Sequence, residues 1–441
     1  MEGELVAVLA PVLGTVAVEG LGRLPGGASR ETWRFDAVDG DGTVHELVLR
    51  RDPPGRPGLP GGMGREAAAM RACTAAGLTV PEVVADGDVG IVMRRVDGET
   101  LARRILRDDE YADARSRLTG ACARFLAGLH ALDPAVVPGL PADDPVELCR
   151  RNLETHGEPS PTFELAFRWL EANRPPPTGR AIVHGDFRLG NLIVGPEGLR
   201  AVLDWELLHE GDPIEDLGWL CTKAWRFGAE PPVGGFGTRE ELCAAYEDAG
   251  GVPVDPDVLR WWEVLNTLKW GIGCMGQAAA HLRGDVRSVE LAAIGRRVCE
   301  QEWDLLLLLA GDDGLEVPAL PERVDEPGLH GRPTAAELLG AVREFLRDDV
   351  MAGSEGRVAF HARVAANVVA IVERELLQEG GDRAGLLAAL GVASDRELAA
   401  VIRSGALDDR VDEVTAALVA GVGAKIAVAN PRYVGLPDPR R

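Results

Sequence analysis

Two carboxylates and one carboxamide within nineteen residues carry the clearest chemistry in this chain. Asp186, Asn191 and Asp204 stand in the segments Val183-His184-Gly185-Asp186-Phe187-Arg188-Leu189-Gly190-Asn191 and Val202-Leu203-Asp204-Trp205-Glu206. An Asp five residues ahead of an Asn, with a second Asp thirteen residues further on, is a spacing suited to phosphoryl transfer. That reaction asks the protein for a base aimed at an acceptor hydroxyl and for oxygen ligands that hold magnesium against the phosphates. Asp186 is the expected base, and Asn191 with Asp204 the expected metal ligands. Apolar runs at 181–183 and 192–194 bracket the loop and predict short strands on either side.

Such a loop needs a nucleotide-binding lobe in front of it, and residues 1–97 read as one, small and β-rich. Pro25-Gly26-Gly27-Ala28-Ser29 precedes the alternating strand Thr32-Trp33-Arg34-Phe35, and Asp39-Gly40-Asp41-Gly42 marks a hairpin turn. The return strand, 45–51, puts Leu47 and Leu49 on one face and Val48 and Arg50 on the other. In this arrangement the amides of Gly26, Gly27 and Ser29 lie near a triphosphate. Val48 packs on the adenine, and Arg50 reaches the α- and β-phosphates. Glu66, on the helix-forming run from Arg65 to Met70, is the expected partner of Arg50. Residues 53–64, rich in Pro and Gly, read as a surface loop. Met93 ends a last strand, and Val96 in the connector after it is placed at the adenine edge.

Residues 98–325 read as a mostly helical lobe with the catalytic hairpin near its middle. A helix is expected over 118–132, stopped at Asp133-Pro134. Another opens at Gly211-Asp212-Pro213-Ile214-Glu215-Asp216, with Asp212 as N-cap, Pro213 at N1 and Glu215 at N3. Asp216 is then placed to accept backbone N–H bonds from the catalytic loop. Residues 311–332 are acidic and rich in Pro and Gly, a linker whose last stretch, 326–332, leads into an all-helical part at 333–441. Thr334-Ala335-Ala336-Glu337 and Ser394-Asp395-Arg396-Glu397 are capping boxes. Leu338, Leu339, Val342, Phe345 and Leu346 share one helix side, and further helices are expected at 358–377 and 411–429. His361, Arg363, Asn367 and Arg374 can share a face and are read as core hydrogen bonding and surface charge. This last part is expected to pack on the rest, to form a homodimer, or to shape the acceptor entrance.

Composition narrows the setting. A formal charge of -23 over 441 residues, with a sequence pI near 4.8, argues against nucleic acid or an anionic membrane as partner. No apolar run approaches the roughly 20 residues of a membrane span. The N-terminus has no basic region of a secretory signal. Seven cysteines scattered singly, with no C-x-x-C pair, read as reduced thiols in the cytoplasm.

Four motifs taken together resemble one family: G-G-x-S at Gly26 to Ser29, H-G-D-x-x-x-x-N at His184 to Asn191, D-W-E at Asp204 to Glu206, and G-D-P-x-x-D at Gly211 to Asp216. Over residues 20–310 the chain resembles the aminoglycoside phosphotransferase (choline/ethanolamine kinase-like) superfamily. The wording of 211–228 is similar to the bacterial phosphotransferases related to the kinase domain of the acyl-CoA dehydrogenase 10/11 group. Residues 333–441 look like the DUF6285 type of helical domain. The resemblance implies an α+β, bilobal protein-kinase-like fold plus an all-α C-terminal domain. It also implies ATP and Mg2+ as cofactors and a small-molecule hydroxyl as acceptor. One departure matters: the cation of the third strand is usually Lys, and here it is Arg50, the only lysines being Lys223, Lys269 and Lys425. Arginine is always charged and grips phosphate as a fork, so the electrostatic job survives. Arg51 is the alternative if the register slips by one.

Two acceptor classes stay open. Glu206, with Glu210 and Asp212, would make an acidic pocket for a cationic, aminoglycoside-like molecule. Lys223 and Lys269, beside Trp219, Trp225 and Trp270, would instead grip an anionic or acyl-type, hydroxyacyl-CoA-like metabolite. The second is the leading expectation. Arg50 also leaves room for a nucleotide-binding regulator of little turnover. A protein kinase lacks support, since no long activation segment separates Asp204 from Gly211.

Overall fold

The computed structural model describes residues 1–24, 30–53, 62–310, 315–316, 325–327, 329–378, 383–436 and 438–440. Gly26, Gly27, Ser29, most of the 53–64 loop and most of the expected linker therefore lie outside the described residues. Contacts group the chain into two compact units, residues 1–142 with 176–262, and residues 143–175 with 263–441. The boundary expected near residue 97 falls inside the first unit, and the stretch 326–332 falls inside the second.

Alternation of apolar and polar side chains builds the front of the first unit. Its five antiparallel strands are β1 (Val16–Arg23), β2 (Glu31–Asp39), β3 (Val44–Arg51), β4 (Val83–Gly87) and β5 (Gly90–Arg94), ordered β1-β2-β3-β5-β4. Asp39 accepts the backbone N–H groups of Asp41 and Thr43 at 3.0 and 2.9 Å, which closes the hairpin between β2 and β3. Leu47 and Leu49 of β3 are buried with Phe35, Ala37 and Val92 against Leu5 and Leu9 of the helix Glu2–Leu13. That helix is an addition to the sequence reading, its signal being the i, i+4 spacing of Leu5 and Leu9. Burial of the two leucines contributes roughly 1.5–3 kcal/mol each. The other face of β3 carries Val48 and Arg50, with Met93 of β5 directly opposite Val48 and Ile91 opposite Arg50.

Behind this sheet the first unit continues with β6 (Ala181–Val183), β7 (Leu192–Gly195), β8 (Gly198–Val202) and β9 (His209–Gly211), paired antiparallel as β6 with β9 and β7 with β8. Helices Ala112–His130, Ile214–Cys221 and Arg239–Asp248 belong to the same unit. The second of these begins one residue later than expected, with Pro213 as its N-cap, and Asp212 just ahead of it accepts from Ile214 N at 2.9 Å and from the Thr178 hydroxyl at 2.6 Å.

The second unit is built of helices. Trp303, Leu306 and Leu307 of the helix Val298–Leu309 pack in one core with Leu398 and Ile402 and with Leu418, Val422 and Ile426 of the helix Val411–Ala429. The same helix buries three acids, each with a partner, as a low-dielectric interior demands. Glu300 accepts from Asn430 at 2.8 Å, Glu302 from Ser160 at 2.7 Å and Lys425 at 2.9 Å, and Asp304 from the Tyr433 hydroxyl. The Thr334 capping box forms in full. The one expected at Ser394 forms by half: Ser394 accepts from Glu397 N, but the Glu397 carboxylate returns to Ala393 N, one residue earlier. Arg374 donates to the Val428 carbonyl at 2.7 Å, near the end of the Val411–Ala429 helix. Leu338, Val342 and Phe345 line an exposed helix face. Among the described residues no helix is long and apolar enough to cross a membrane.

Candidate active site

The loop after β6 is held from below. β6 pairs with β9 in the register Val183 to His209, so His184 leaves a fully buried strand. Gly185 follows at φ 78°, and a Cβ there would lie 2.6 Å from the Leu207 carbonyl oxygen; only glycine fits. Asp216, fully buried, accepts the N–H of His184 at 2.8 Å and of Gly185 at 2.9 Å, and is bonded to His130 Nε2 at 3.2 Å. Burial alone would raise the Asp216 carboxyl, but His130 and these loop contacts hold it below its ordinary range. The His184 ring accepts from the Asp186 N–H on Nδ1 at 3.2 Å, so Nε2 carries the proton and donates to the Leu203 carbonyl at 2.9 Å. Burial pushes the His184 pKa down, which favours this neutral form. Phe187 meets the ring edge-on at 5.9 Å and Trp205 at 4.7 Å, with Phe125 of the helix Ala112–His130 stacked on Phe187.

Asp186 projects from this platform among three donors. Its Oδ1 accepts from Trp219 Nε1 at 3.0 Å and Arg188 Nε at 2.9 Å, and its Oδ2 from Asn191 Nδ2 at 2.7 Å. The Asn191 amide also donates to the Asp186 carbonyl at 2.9 Å, which directs its own carbonyl oxygen to other work. Leu203 N donates to the backbone carbonyl of Asn191 at 2.8 Å, so the residue before Asp204 is tied to both His184 and Asn191. Asp204 itself takes φ 67°, in the left-handed region that non-glycine residues rarely occupy. Its Oδ1 accepts from Arg50 Nη2. Burial alone would raise this carboxyl; the Arg50 guanidinium, with His184 and Arg188, holds it below the usual range.

The expected pair of Arg50 with Glu66 is not the one that forms. Glu66, buried on the helix Gly62–Ala75, is bonded to Arg30 Nη1 instead. Arg30 Nε donates to Asp52 at 3.0 Å and lies 4.0 Å from Glu206. Arg50 is drawn the other way by two carboxylates, bonded to Asp204 and 3.6 Å from Glu206 Oε2. Burial would lower the Arg50 pKa, but Asp204, Glu66 and Glu206 outweigh it and hold it above its ordinary value. Burial wins at Glu66, whose carboxyl is raised despite Arg30 and Arg50. Arg50 Nε is buried and has no acceptor among the described residues. Arg30 was missed in the sequence reading, although it directly follows Gly26-Gly27-Ala28-Ser29. Val48 and Met93 are cross-strand neighbours on the Arg50 face, and Val96 is half-buried in the connector after β5.

On the other side of Asp186 lies an aromatic group. The Arg188 guanidinium sits 4.6 Å from the Trp225 ring centre, and Trp225 and Trp219 lie 5.3 Å apart at 43°. Lys223 and Trp225 are both buried in the short 3-10 helix Lys223–Arg226. Lys269 belongs to the second unit. Glu206 stands with the arginines rather than with the tryptophans. Glu210 is bonded to Arg180, and Asp212 to Thr178 and Ile214, so two members of the imagined acidic pocket already have protein partners. Among the described residues no group of three or more His, Cys, Asp or Glu side chains is arranged to hold a metal.

The chain is similar to known proteins along most of its length. Residues 20–262 match the model of the phosphotransferase enzyme family, and residues 352–433 match a domain of unknown function, DUF6285. Acyl-CoA dehydrogenase family member 11 of Gallus gallus is 34% identical over 355 residues, covering 72% of this chain and 44% of that protein. The Homo sapiens protein of the same description is 30% identical over 237 residues, 46% of this chain and 30% of its own length. The chain thus spans less than half the length of these curated relatives. A crystal structure from Ralstonia eutropha, described as an aminoglycoside phosphotransferase, is similar with a TM-score of 0.51 at 22% identity, covering 65% of this chain and 92% of that one.

Proposed function

The chain belongs to the phosphotransferase enzyme family, and we propose that it is a small-molecule phosphotransferase that moves the γ-phosphoryl group of ATP, with Mg2+, to a hydroxyl of an anionic or acyl-type acceptor. The observation that carries this reading is the joint fixing of Asp186, Asn191 and Asp204 by His184, Leu203 and Arg50. Asp186 takes the proton of the acceptor hydroxyl as its oxygen attacks the phosphorus, and ADP leaves. Asn191 offers a carbonyl oxygen and Asp204 a carboxylate, hard ligands that Mg2+ takes alongside phosphate and water. The buried Nε of Arg50 suits a phosphate oxygen. Val48, Met93 and Val96 line the adenine side, and Gly26, Gly27 and Ser29 remain assigned to the phosphates.

The aromatic group around Trp225, with Arg188 and Lys223, supports an acceptor that is negatively charged and partly apolar. Hydroxyacyl-CoA-like molecules have that character. The seven free cysteines support a reducing, cytoplasmic setting. The exposed face of Leu338, Val342 and Phe345 is where a second copy of the chain would pack; a mass measurement in solution tests it. The decisive experiment is ATP consumption over pools of hydroxylated metabolites, hydroxyacyl-CoAs included. Asp186→Asn should lower kcat by about 10²–10⁴ while ATP still binds. Equal turnover in that variant would remove Asp186 as the base, whereas a thermal shift with ATP and Mg2+ but no transfer to any hydroxylated metabolite would favour the nucleotide-binding regulator.

A further inference from the structure

One carboxylate oxygen of Asp204, the proposed metal ligand, is already engaged by a cation, the Arg50 guanidinium. Glu206 Oε2 approaches the same Nη2 from a second side at 3.6 Å. Two carboxylates thus converge on one positive group, the arrangement a metal would otherwise receive. A guanidinium cannot lose its proton in a folded protein. A metal that takes this oxygen must therefore displace Arg50, and cannot wait for it to become neutral. Arg50 has a place to go, since its buried Nε lacks an acceptor among the described residues and its fork matches phosphate oxygens. Arg30 lies 4.0 Å from the same Glu206 oxygen but is bonded elsewhere. It is committed to Glu66 and Asp52, so the helix Gly62–Ala75 keeps its anchor whichever partner Arg50 holds.

We infer that Arg50 is a displaceable counter-ion on the metal site. It neutralises Asp204 and Glu206 until a nucleotide phosphate draws it off, so that divalent cation and nucleotide bind together. The inference rests on Asp204 being a metal ligand, as proposed above. By linkage, nucleotide tightens the cation and the cation tightens nucleotide by the same factor.

The test is Mn2+ binding to the full chain without nucleotide, read from the electron paramagnetic resonance of free Mn2+. Arg50→Lys keeps the charge with a shorter reach and Arg50→Gln removes it; either one suffices if the other misfolds. Both should bind Mn2+ about fivefold tighter than wild type or more, and both should lose most of the tightening that ADP gives the wild type. Arg51→Gln, on the opposite side of β3 beside Glu31, should stay within about twofold. Wild-type affinity in the Arg50 variants overturns the inference, as does an equal gain in Arg51→Gln, which would mean a mere through-space charge effect. Asp204→Asn separates the two claims. If it binds Mn2+ as the wild type does, the metal assignment itself falls. If it binds weakly while the Arg50 variants are unchanged, only the counter-ion is lost.

Discussion

Asp186 is steered by Trp219, an indole on a different element. Trp219→Phe keeps a smaller aromatic ring near Trp225 and deletes the N–H to Oδ1 together with part of the indole. One hydrogen bond nets about 0.5–1.5 kcal/mol, so kcat should fall by up to about tenfold with the KM for ATP unchanged. A change in KM for ATP alone would place Trp219 elsewhere in the cycle. His184 makes a prediction about pH. Its folded pKa is lowered by burial, so as pH falls through about 6.5 the unfolded chain takes up the proton first. Protons bound in the unfolded state exceed those in the native one, so stability rises with pH in that window and is lost on acidification. The slope is at most about 1.4 kcal/mol per pH unit. Asp204 and Asp216 are also depressed, but as carboxylates they lose their stabilisation only below about pH 3.9, outside this window. Melting curves from pH 6.5 to 5 should therefore be steeper in wild type than in His184→Asn. Equal slopes would refute the neutral-ring account.

Elements explain why much of the site was legible in the sequence and why some was not. Asp186, Asn191 and Asp204 lie on one strand–loop–strand–strand run, so their spacing alone carries their geometry. The face of β3 holding Val48 and Arg50 followed from simple alternation, and Asp216 from its place in the first turn of its helix. The partner of Glu66 did not follow. Arg30 and Glu66 are separated by 36 residues, and the choice between two arginines depends on which carboxylates each meets in three dimensions. The helix Glu2–Leu13 was hidden because it carries Pro11 and few polar residues to reveal a period. The loop itself is tested at Gly185. Gly185→Ala meets both a positive φ and the Leu207 carbonyl, and should cost about 1–3 kcal/mol in chemical denaturation while lowering kcat. An alanine that leaves both untouched would show that the loop has another course.

At the scale of the whole chain, the helix Val298–Leu309 draws its partners from far along the sequence. A chain ending before residue 333 would leave Glu300 without Asn430, Glu302 without Lys425 and Asp304 without the Tyr433 hydroxyl, and would expose Trp303, Leu306 and Leu307. Removing the C-terminal helices should therefore give aggregated or molten protein, measurable as loss of a cooperative melt. Tyr433→Phe, a milder change at the same place, should cost about 1–3 kcal/mol. Wild-type melting in the shortened chain would mean that the helix needs none of them.

The separation of Arg168 and Asp408, bonded across 240 residues, sets a timetable for synthesis. At roughly 5–20 residues per second, the segment 143–175 leaves the ribosome some ten to fifty seconds before its last partners are made. For that interval its apolar side chains must be sheltered by something other than their native neighbours. Pausing or chaperone occupancy during translation would thus bear on this protein's yield.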